Sequence, residues 1–382
     1  MTIGLIKIRN TVNGFLYRNI LKRIFFHFDA EKVHEEMIRF GHDLGTNMLT
    51  RTVISSVFST PKFPELEQTI QGVTFKNPIG LSGGFDKNAT LTDIIPAVGF
   101  GFMEIGSVTA KPYEGNPGQR LWRLKKSQSL VVNYGLKSLG ADAIASKLET
   151  KLADHAFGIP IGVNIAKTNC AETNIQETGI ADYVDTYQRF LTIGDFFTLN
   201  ISCPNVAGGQ PFHDAAWLEN LLTKLEKTPT AKPIFIKISP DLSHEEIDRI
   251  LEVASRHHVD GFVCTNLTKR RDLVTIVDPD VPAIGGISGK VVEALANELI
   301  AYIYTHGTRK DGQKFTIIGA GGIFSAQDAY VKIRAGASLL ELITGMIFQG
   351  PQLISEIQIG LVELLKKDGF THIAEAIGAD HR

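Results

Sequence analysis

Eight short apolar runs, spaced by stretches of helical periodicity, restrict what this chain can fold into more than any other feature. They are "PIGLSG" (78 to 83), "FMEIGSV" (102 to 108), "PIGVNIA" (160 to 166), "FFTLNIS" (196 to 202), "PIFIKIS" (233 to 239), "DGFVCTN" (260 to 266), "FTIIGAG" (315 to 321) and "LLELITG" (339 to 345). Their shortness, β-branched content and near-continuous apolarity suit strands of a parallel sheet buried on both faces. Between several of them lie helices. "SHEEIDRILEVASRHH" opens with a capping box, Ser243 with Glu246, and carries Ile247, Ile250, Leu251 and Ala254 on one face. Eight strand signals with helical crossovers predict an α/β fold of the (β/α)8 TIM barrel type. The competitor is a doubly wound open sheet, whose opening dinucleotide fingerprint is missing. A chain of 382 residues exceeds the usual single domain, but barrels reach this length with attachments.

The attachment is at the front. Residues 1 to 28 combine Lys7, Arg9, Arg18, Lys22 and Arg23 with Leu16, Ile20, Leu21, Ile24, Phe25, Phe26 and Phe28, and contain no acidic residue. Positions 16, 20 and 24, with 21, 25 and 28, recur at helical spacing. Such a helix can lie in a lipid headgroup layer, or it can pack its stripe on the domain that follows; periodicity does not separate the two. Arg18, Lys22 and Arg23 interrupt the apolar stretch, which argues against a cleavable signal peptide, and no run approaches the roughly 18 to 20 apolar residues of a membrane span. The proline-punctuated "FSTPKFPELEQ" (58 to 68) reads as a linker, dividing an N-terminal helical extension (1–60) from the barrel (61–382).

A formal net charge of -2 and a pI near 6.6 give no pull toward nucleic acid. The three cysteines, Cys170, Cys203 and Cys264, form no CxxC pair or even-numbered framework, which fits a reducing compartment. Metal ligation lacks support: His257 and His258 close a helical pattern and are expected to face water, and His213 and His244 have no spaced partners.

Barrel enzymes hold their chemistry where strands end. Here the first strand leads into "GGFDK" with Lys87, the second ends at Ser107, the third carries Asn164 and the fourth ends at Asn200. The fifth holds Lys237 and the sixth ends with Thr265 and Asn266. One buried Asn is ordinarily a satisfied core group; amides and lysines ending most of the strands would converge on one mouth. After the last two strands come Gly319, Gly321, Gly322 and Gly345, where barrel loops often bind phosphate through exposed N–H groups. Plain turns would use glycine as well.

Cys170 and Cys264 read as inert buried fillers. Cys203, in "NISCPNVAGGQPF", sits at a strand end before Pro204 and a glycine-bearing loop. As a nucleophile it would want a partner base, and the sequence names none. As a general base it needs a thiolate population, so its ordinary pKa of roughly 8.5 would have to be lowered by cations, with Lys87 and Lys237 as candidates.

The motifs "NPIGLSGGFDK", "EIGSVTAKPYEGNP", "GVNIAK", "NISCPN", "IKISPDLS", "CTN", "GGISGK", "IIGAGGI" and "AGASLLELITGMIFQGP", in this order, resemble dihydroorotate dehydrogenase, the flavoprotein family of pyrimidine biosynthesis. The likeness runs from about residue 14 to the tail "GFTHIAEAIGADHR". The N-terminal "YRNILKRIFFHFDAEKVHE" is similar to the membrane-associated, quinone-reducing class, in which N-terminal helices form a hood through which quinone reaches the flavin. That implies a peripheral protein on the cytoplasmic side of the cell membrane. The resemblance further implies FMN, held by Gly83, Gly84, Lys87, Ser107, Asn164, Asn200, Lys237, Thr265, Gly289, Gly321, Gly322, Ile343, Thr344 and Gly345. Lys237 would offset the negative charge near N1 of a reduced flavin. Dihydroorotate would be held by Lys87, Asn133, Tyr134, Gly135, Leu136, Asn200, Asn205 and Asn266. Cys203 would take the C5 proton as hydride leaves C6, giving orotate. Arg123 resembles an arginine at the quinone passage.

The chain departs from the family in three places. The membrane-associated class ordinarily carries serine as its base and the soluble class cysteine. Val132 stands where a substrate-binding asparagine is usual, with Asn133 displaced by one and Lys137 at the site of another asparagine. Leu267 replaces a threonine. Two rival readings follow: the same chemistry with a soluble acceptor such as fumarate, or a non-catalytic barrel that binds phosphorylated ligands.

Overall fold

In a computed structural model, which describes residues 2–206 and 208–382, all eight runs are strands: β1 Ile79–Leu81, β2 Phe102–Val108, β3 Ile161–Ile165, β4 Phe196–Asn200, β5 Ile234–Lys237, β6 Gly261–Cys264, β7 Thr316–Ala320 and β8 Leu339–Leu342. Each pairs in parallel with the next, and β8 returns to β1, closing the barrel. The helix His244–Arg256 starts on the expected capping box, and Ile247, Ile250, Leu251 and Ala254 are its buried face. Its end differs from expectation. His257 does not face water: its ring is largely covered, with Nε2 2.8 Å from Glu219 and Nδ1 3.1 Å from Glu226.

Side chains alternate in and out along a strand, and this pleat stratifies the barrel interior. Phe102, Phe196, Phe235, Val263, Ile318 and Leu339, one from each of six strands, meet in a single apolar cluster with Phe75. Phe75 belongs to a small hairpin, Gln68–Ile70 with Val73–Phe75, that plugs the barrel floor. Two residues further along the same strands come Glu104, Thr198, Lys237, Thr265, Ala320 and Glu341, all buried. An apolar floor therefore carries a polar storey, and the loops above it form the mouth.

Glycines make room for the large rings. A Cβ on Gly80 would lie 2.3 Å from the Phe102 ring, and one on Gly162 at 2.3 Å from that of Phe196. The tightest is Gly261, where a Cβ would stand 1.8 Å from the Thr316 carbonyl oxygen of the neighbouring strand. Gly261→Ala must push β6 from β7, and we expect it to cost about 1–3 kcal/mol of unfolding free energy in urea denaturation.

The mouth is walled by a three-stranded antiparallel sheet, Leu121–Leu124, Ser129–Val132 and Gly286–Gly289, and by the N-terminal helices. Ile3–Leu16 continues through one π turn, Tyr17–Leu21, into Lys22–Phe25; Ala30–Gly45 and Met48–Phe58 follow. The first of these packs on the barrel through a small, partly polar face of Ile6, Asn10 and Gly14. Asn10 Nδ2 donates to Ser355 Oγ at 2.8 Å, and Lys7 pairs with Glu363 on the same late helix, Leu353–Lys367. The apolar stripe is thus not the packing face: Leu16, Ile20, Leu21, Ile24 and Phe28 are exposed, together with Ile3, Leu5, Ile8, Val12 and Phe15. Among the described residues, no helix is long and apolar enough to cross a membrane.

Candidate active site

Above the polar storey opens a cavity that is continuous with solvent. Most of the polar residues read from the strand ends border it: Gly83, Gly84, Lys87, Ser107, Asn200, Lys237, Thr265 and Asn266. So do Gly289, Gly321, Gly322, Ile343, Thr344 and Gly345 on one side, and Tyr134, Gly135, Leu136, Cys203 and Asn205 on the other. Three residues do not reach it: Gly319 stays inside its strand, facing Ala337 and Ile300, and two amides fall outside the lining. Asn164 lies beneath, accepting from Ser107 Oγ and donating to Glu104 Oε2 at 2.8 Å. Asn133 turns to Asn116, whose Nδ2 donates to its Oδ1 at 3.2 Å.

The glycine side is a close-packed rim. Gly321, Gly322 and Gly289 have φ of 108°, 75° and 92°, in the left-handed region that favours glycine. A Cβ on Gly345 would lie 1.9 Å from the Ile323 carbonyl oxygen, so the loops after β7 and β8 touch through their backbones. The N–H groups of Gly322 and Ile323 meet no acceptor among the described residues. Thr344 opens a short helix whose first N–H groups have no intrahelical partner. Free N–H groups edged by glycine are a fit for a phosphate ester.

On the floor, Lys237 Nζ donates to Ser82 Oγ at 3.2 Å and stands 3.7 Å from Glu341 Oε2. Neither oxygen of Glu341 receives a well-formed hydrogen bond. Burial first, and then the neighbouring Glu104, push the Glu341 carboxyl up from 4.5 to about 8. Glu104 is well supplied, accepting from Thr198 Oγ1 and Asn164 Nδ2. Sequence reading passed over both acids because each is a single letter inside an apolar run; the pleat period was the available signal, since each lies two residues beyond an inward-facing apolar residue.

The amides form a linked set. Asn200 Nδ2 donates to Ser107 Oγ at 2.8 Å, and Asn266 Nδ2 to Asn200 Oδ1 at 3.1 Å and Ser202 Oγ at 3.0 Å. Asn205 Nδ2 donates to the Val132 carbonyl at 2.8 Å, and Asn116 Nδ2 to the Asn205 carbonyl at 3.0 Å, tying the Cys203 loop to the mouth sheet. Asn116, in "EGNP", was missed as a site-ordering residue. At the outer wall Lys87 Nζ lies 4.0 Å over the Tyr134 ring and 3.5 Å from His34 Nε2 of the helix Ala30–Gly45. Burial, with Lys137 nearby, lowers Lys87 to about 8 and His34 to about 3, so that imidazole is neutral. Arg120 binds Glu31 (Nε to Oε2, 3.1 Å), fastening the same helix to the mouth.

Cys203 corrects the expectation about its cations. Its thiol is pushed up to about 11, because burial outweighs everything else; the opposing influences are a backbone N–H at Asn205 and the charges of Lys269 and Lys167, not those of Lys87 and Lys237. Cys264 is buried as expected, whereas Cys170 is partly exposed in the loop after β3, with Sγ 3.8 Å from Thr173 Oγ1.

The cavity's apolar wall, with Leu121, Leu130 and Ile347, runs toward the N-terminal helices. There Leu121, Leu130, Phe324 and Phe348 cluster with Phe26. Arg123 stands at this end, its guanidinium 4.7 Å over the Phe26 ring and Nη1 donating to the Phe28 carbonyl at 2.7 Å.

A closed barrel with its polar groups gathered at the C-terminal ends of the strands is the architecture of the (β/α)8 enzymes. The family model described as Dihydroorotate dehydrogenase matches residues 65–365. A dihydroorotate dehydrogenase (quinone) of Haloarcula marismortui is 40% identical over 309 residues, 81% of this chain and 84% of that protein. Another, of a Sulfurovum species, is 37% identical over 370 residues, 96% and 99% of the two chains. The crystal structure of a DHODH from Eimeria tenella in complex with ferulenol superposes with a TM-score of 0.83 at 30% identity, covering 93% of this chain and 96% of that one. The chain belongs to the dihydroorotate dehydrogenase family.

Proposed function

We propose that this protein oxidises dihydroorotate to orotate with FMN as cofactor and passes the electrons to a membrane quinone. The observation that carries the reading is convergence: the Cys203 thiol, three amides and Lys87 face the same cavity as Lys237 and the glycine rim. FMN, held by its phosphate at Gly322, Ile323, Thr344 and Gly345 and by its ring over Lys237, would supply the hydride acceptor. Ser107, Asn200 and Thr265 line the space between, and Asn164 supports it from below. Lys87, Asn200, Asn205 and Asn266 offer donors to the carboxylate and amide edges of the substrate. Gly135 and Leu136 form its wall with Tyr134; Asn133 serves as a brace for Asn116. Cys203 takes the proton from C5 as hydride leaves C6.

The N-terminal helices before residue 60 would form the hood. Their exposed stripe beside Arg18, Lys22 and Arg23 supports contact with a headgroup layer; the cytoplasmic side follows from the resemblance alone. Bleaching of the flavin band on a single anaerobic addition of dihydroorotate tests the reading; an unbleached band refutes it and favours a non-catalytic barrel. Two further outcomes are expected. Ile8→Ser, Phe15→Ser and Ile20→Ser combined should abolish flotation with liposomes without changing flavin bleaching, and retained flotation counts against the membrane contact. Arg123→Ala should raise the quinone KM roughly tenfold, by loss of a cation–π and hydrogen-bond anchor, while reduction by dihydroorotate is unaltered; a preference for fumarate in the parent protein would select the soluble-acceptor alternative.

A further inference from the structure

Glu341 has no part in the reading above, yet its burial is costly. It is fully buried, borders the cavity floor, and neither of its oxygens makes a well-formed hydrogen bond, the Ser82 hydroxyl and the Glu104 carboxyl being its nearest hydrogen-bonding neighbours. The titratable groups around it come from two other strands: Glu104 of β2 and Lys237 of β5, with the neutral Ser82 hydroxyl just past β1. Two ionised carboxylates and one ammonium would leave a net negative charge among side chains that are all buried, which such sites avoid by taking up a proton. Of the two acids, Glu104 already accepts two hydrogen bonds, from Thr198 Oγ1 and Asn164 Nδ2. Glu341 accepts no well-formed one, so the proton belongs on Glu341, which then becomes the missing donor toward Glu104.

We infer that Glu341 is a proton-holding positioning residue: as a neutral acid it leaves the Lys237 ammonium uncompensated toward the cavity, and it exchanges its proton as charge at the cavity floor changes. The second part rests on the reading that FMN lies over Lys237. Negative charge appearing there on two-electron reduction favours the protonated acid. Where Glu341 is already ionised in the oxidised protein, reduction draws one proton from water onto its carboxylate; the electrons come from dihydroorotate or from a chemical reductant.

The test has two arms. In infrared pH titration of the purified full chain, a carboxylic-acid carbonyl band is expected at neutral pH, vanishing as pH rises, and absent from Glu341→Gln. Glu104→Gln, which removes the neighbouring charge, should move its disappearance to lower pH. The same band in wild type and Glu341→Gln overturns the assignment whether or not flavin is bound. In the second arm the flavin midpoint potential is followed against pH. Wild type should show an additional slope of up to one proton per two electrons, a tenfold change in equilibrium constant or about 30 mV per pH unit, that Glu341→Gln lacks. Equal slopes overturn the coupling. A protein that takes up no flavin sinks the functional reading while leaving the infrared arm intact.

Discussion

Cys203→Ala is expected to slow reduction of the bound flavin by dihydroorotate by about 10²–10⁴-fold, the range for loss of a positioned general base, with flavin retained. The thiol's environment also dictates a pH profile. At a pKa of about 11, only about one molecule in 10⁴ carries the thiolate at pH 7. The rate of the reductive half-reaction should therefore climb about tenfold per pH unit and go on climbing beyond pH 9, where an ordinary thiol near 8.5 would already have levelled off. Stopped-flow bleaching between pH 6 and about 10 measures this directly. A plateau near pH 8 would mean that burial does not hold the thiol high during the reaction and would overturn this profile. Cys203→Ser should keep a fraction of the rate and require higher pH still, because an alcohol is a poorer acceptor near neutrality; an unchanged profile would remove the thiol from the role.

The barrel was legible because parallel strands buried on both faces leave an unmistakable trace: all eight apolar runs are strands, in the expected order. The polar ends of those runs were legible for the same reason, since a barrel has one mouth and strand ends must share it. What stayed hidden depends on contacts between distant segments. Nothing local to "VVNYG" shows that Asn133 will turn to Asn116 across the mouth. Nothing local to "NISCPN" shows that burial will outweigh every cation near the thiol, or that those cations are Lys269 and Lys167. The helical stripe of residues 16 to 28 was read correctly as a stripe, but periodicity cannot say which face is covered; the answer lay in Ile6, Asn10 and Gly14, a face too small and polar to attract notice.

Lys237→Met should produce the other large loss, about 10²–10³-fold in flavin reduction, the usual consequence of removing one preorganised donor at developing negative charge. The same substitution strips the buried Glu341 of the ammonium beside it, and the stability effect then depends on pH with a definite sign. In the parent, Glu341 titrates near 4.5 unfolded and about 8 folded, so the folded state binds more protons between these values and stability declines as pH rises through the window. Without the ammonium the folded carboxyl is raised further, and the decline continues beyond pH 8. Urea unfolding should accordingly show Lys237→Met close to wild type near pH 5 and weaker by up to about 3–5 kcal/mol at alkaline pH, the cost of a buried charge left without its partner. A deficit independent of pH would indicate lost packing of the lysine stem instead. Lys237→Met with Glu341→Gln separates the two, since the double variant should recover the alkaline stability while flavin reduction stays slow. Stability and turnover are thus divided between two side chains 3.7 Å apart: the acid sets the pH at which the floor of the barrel becomes costly, and the lysine uses the charge so preserved.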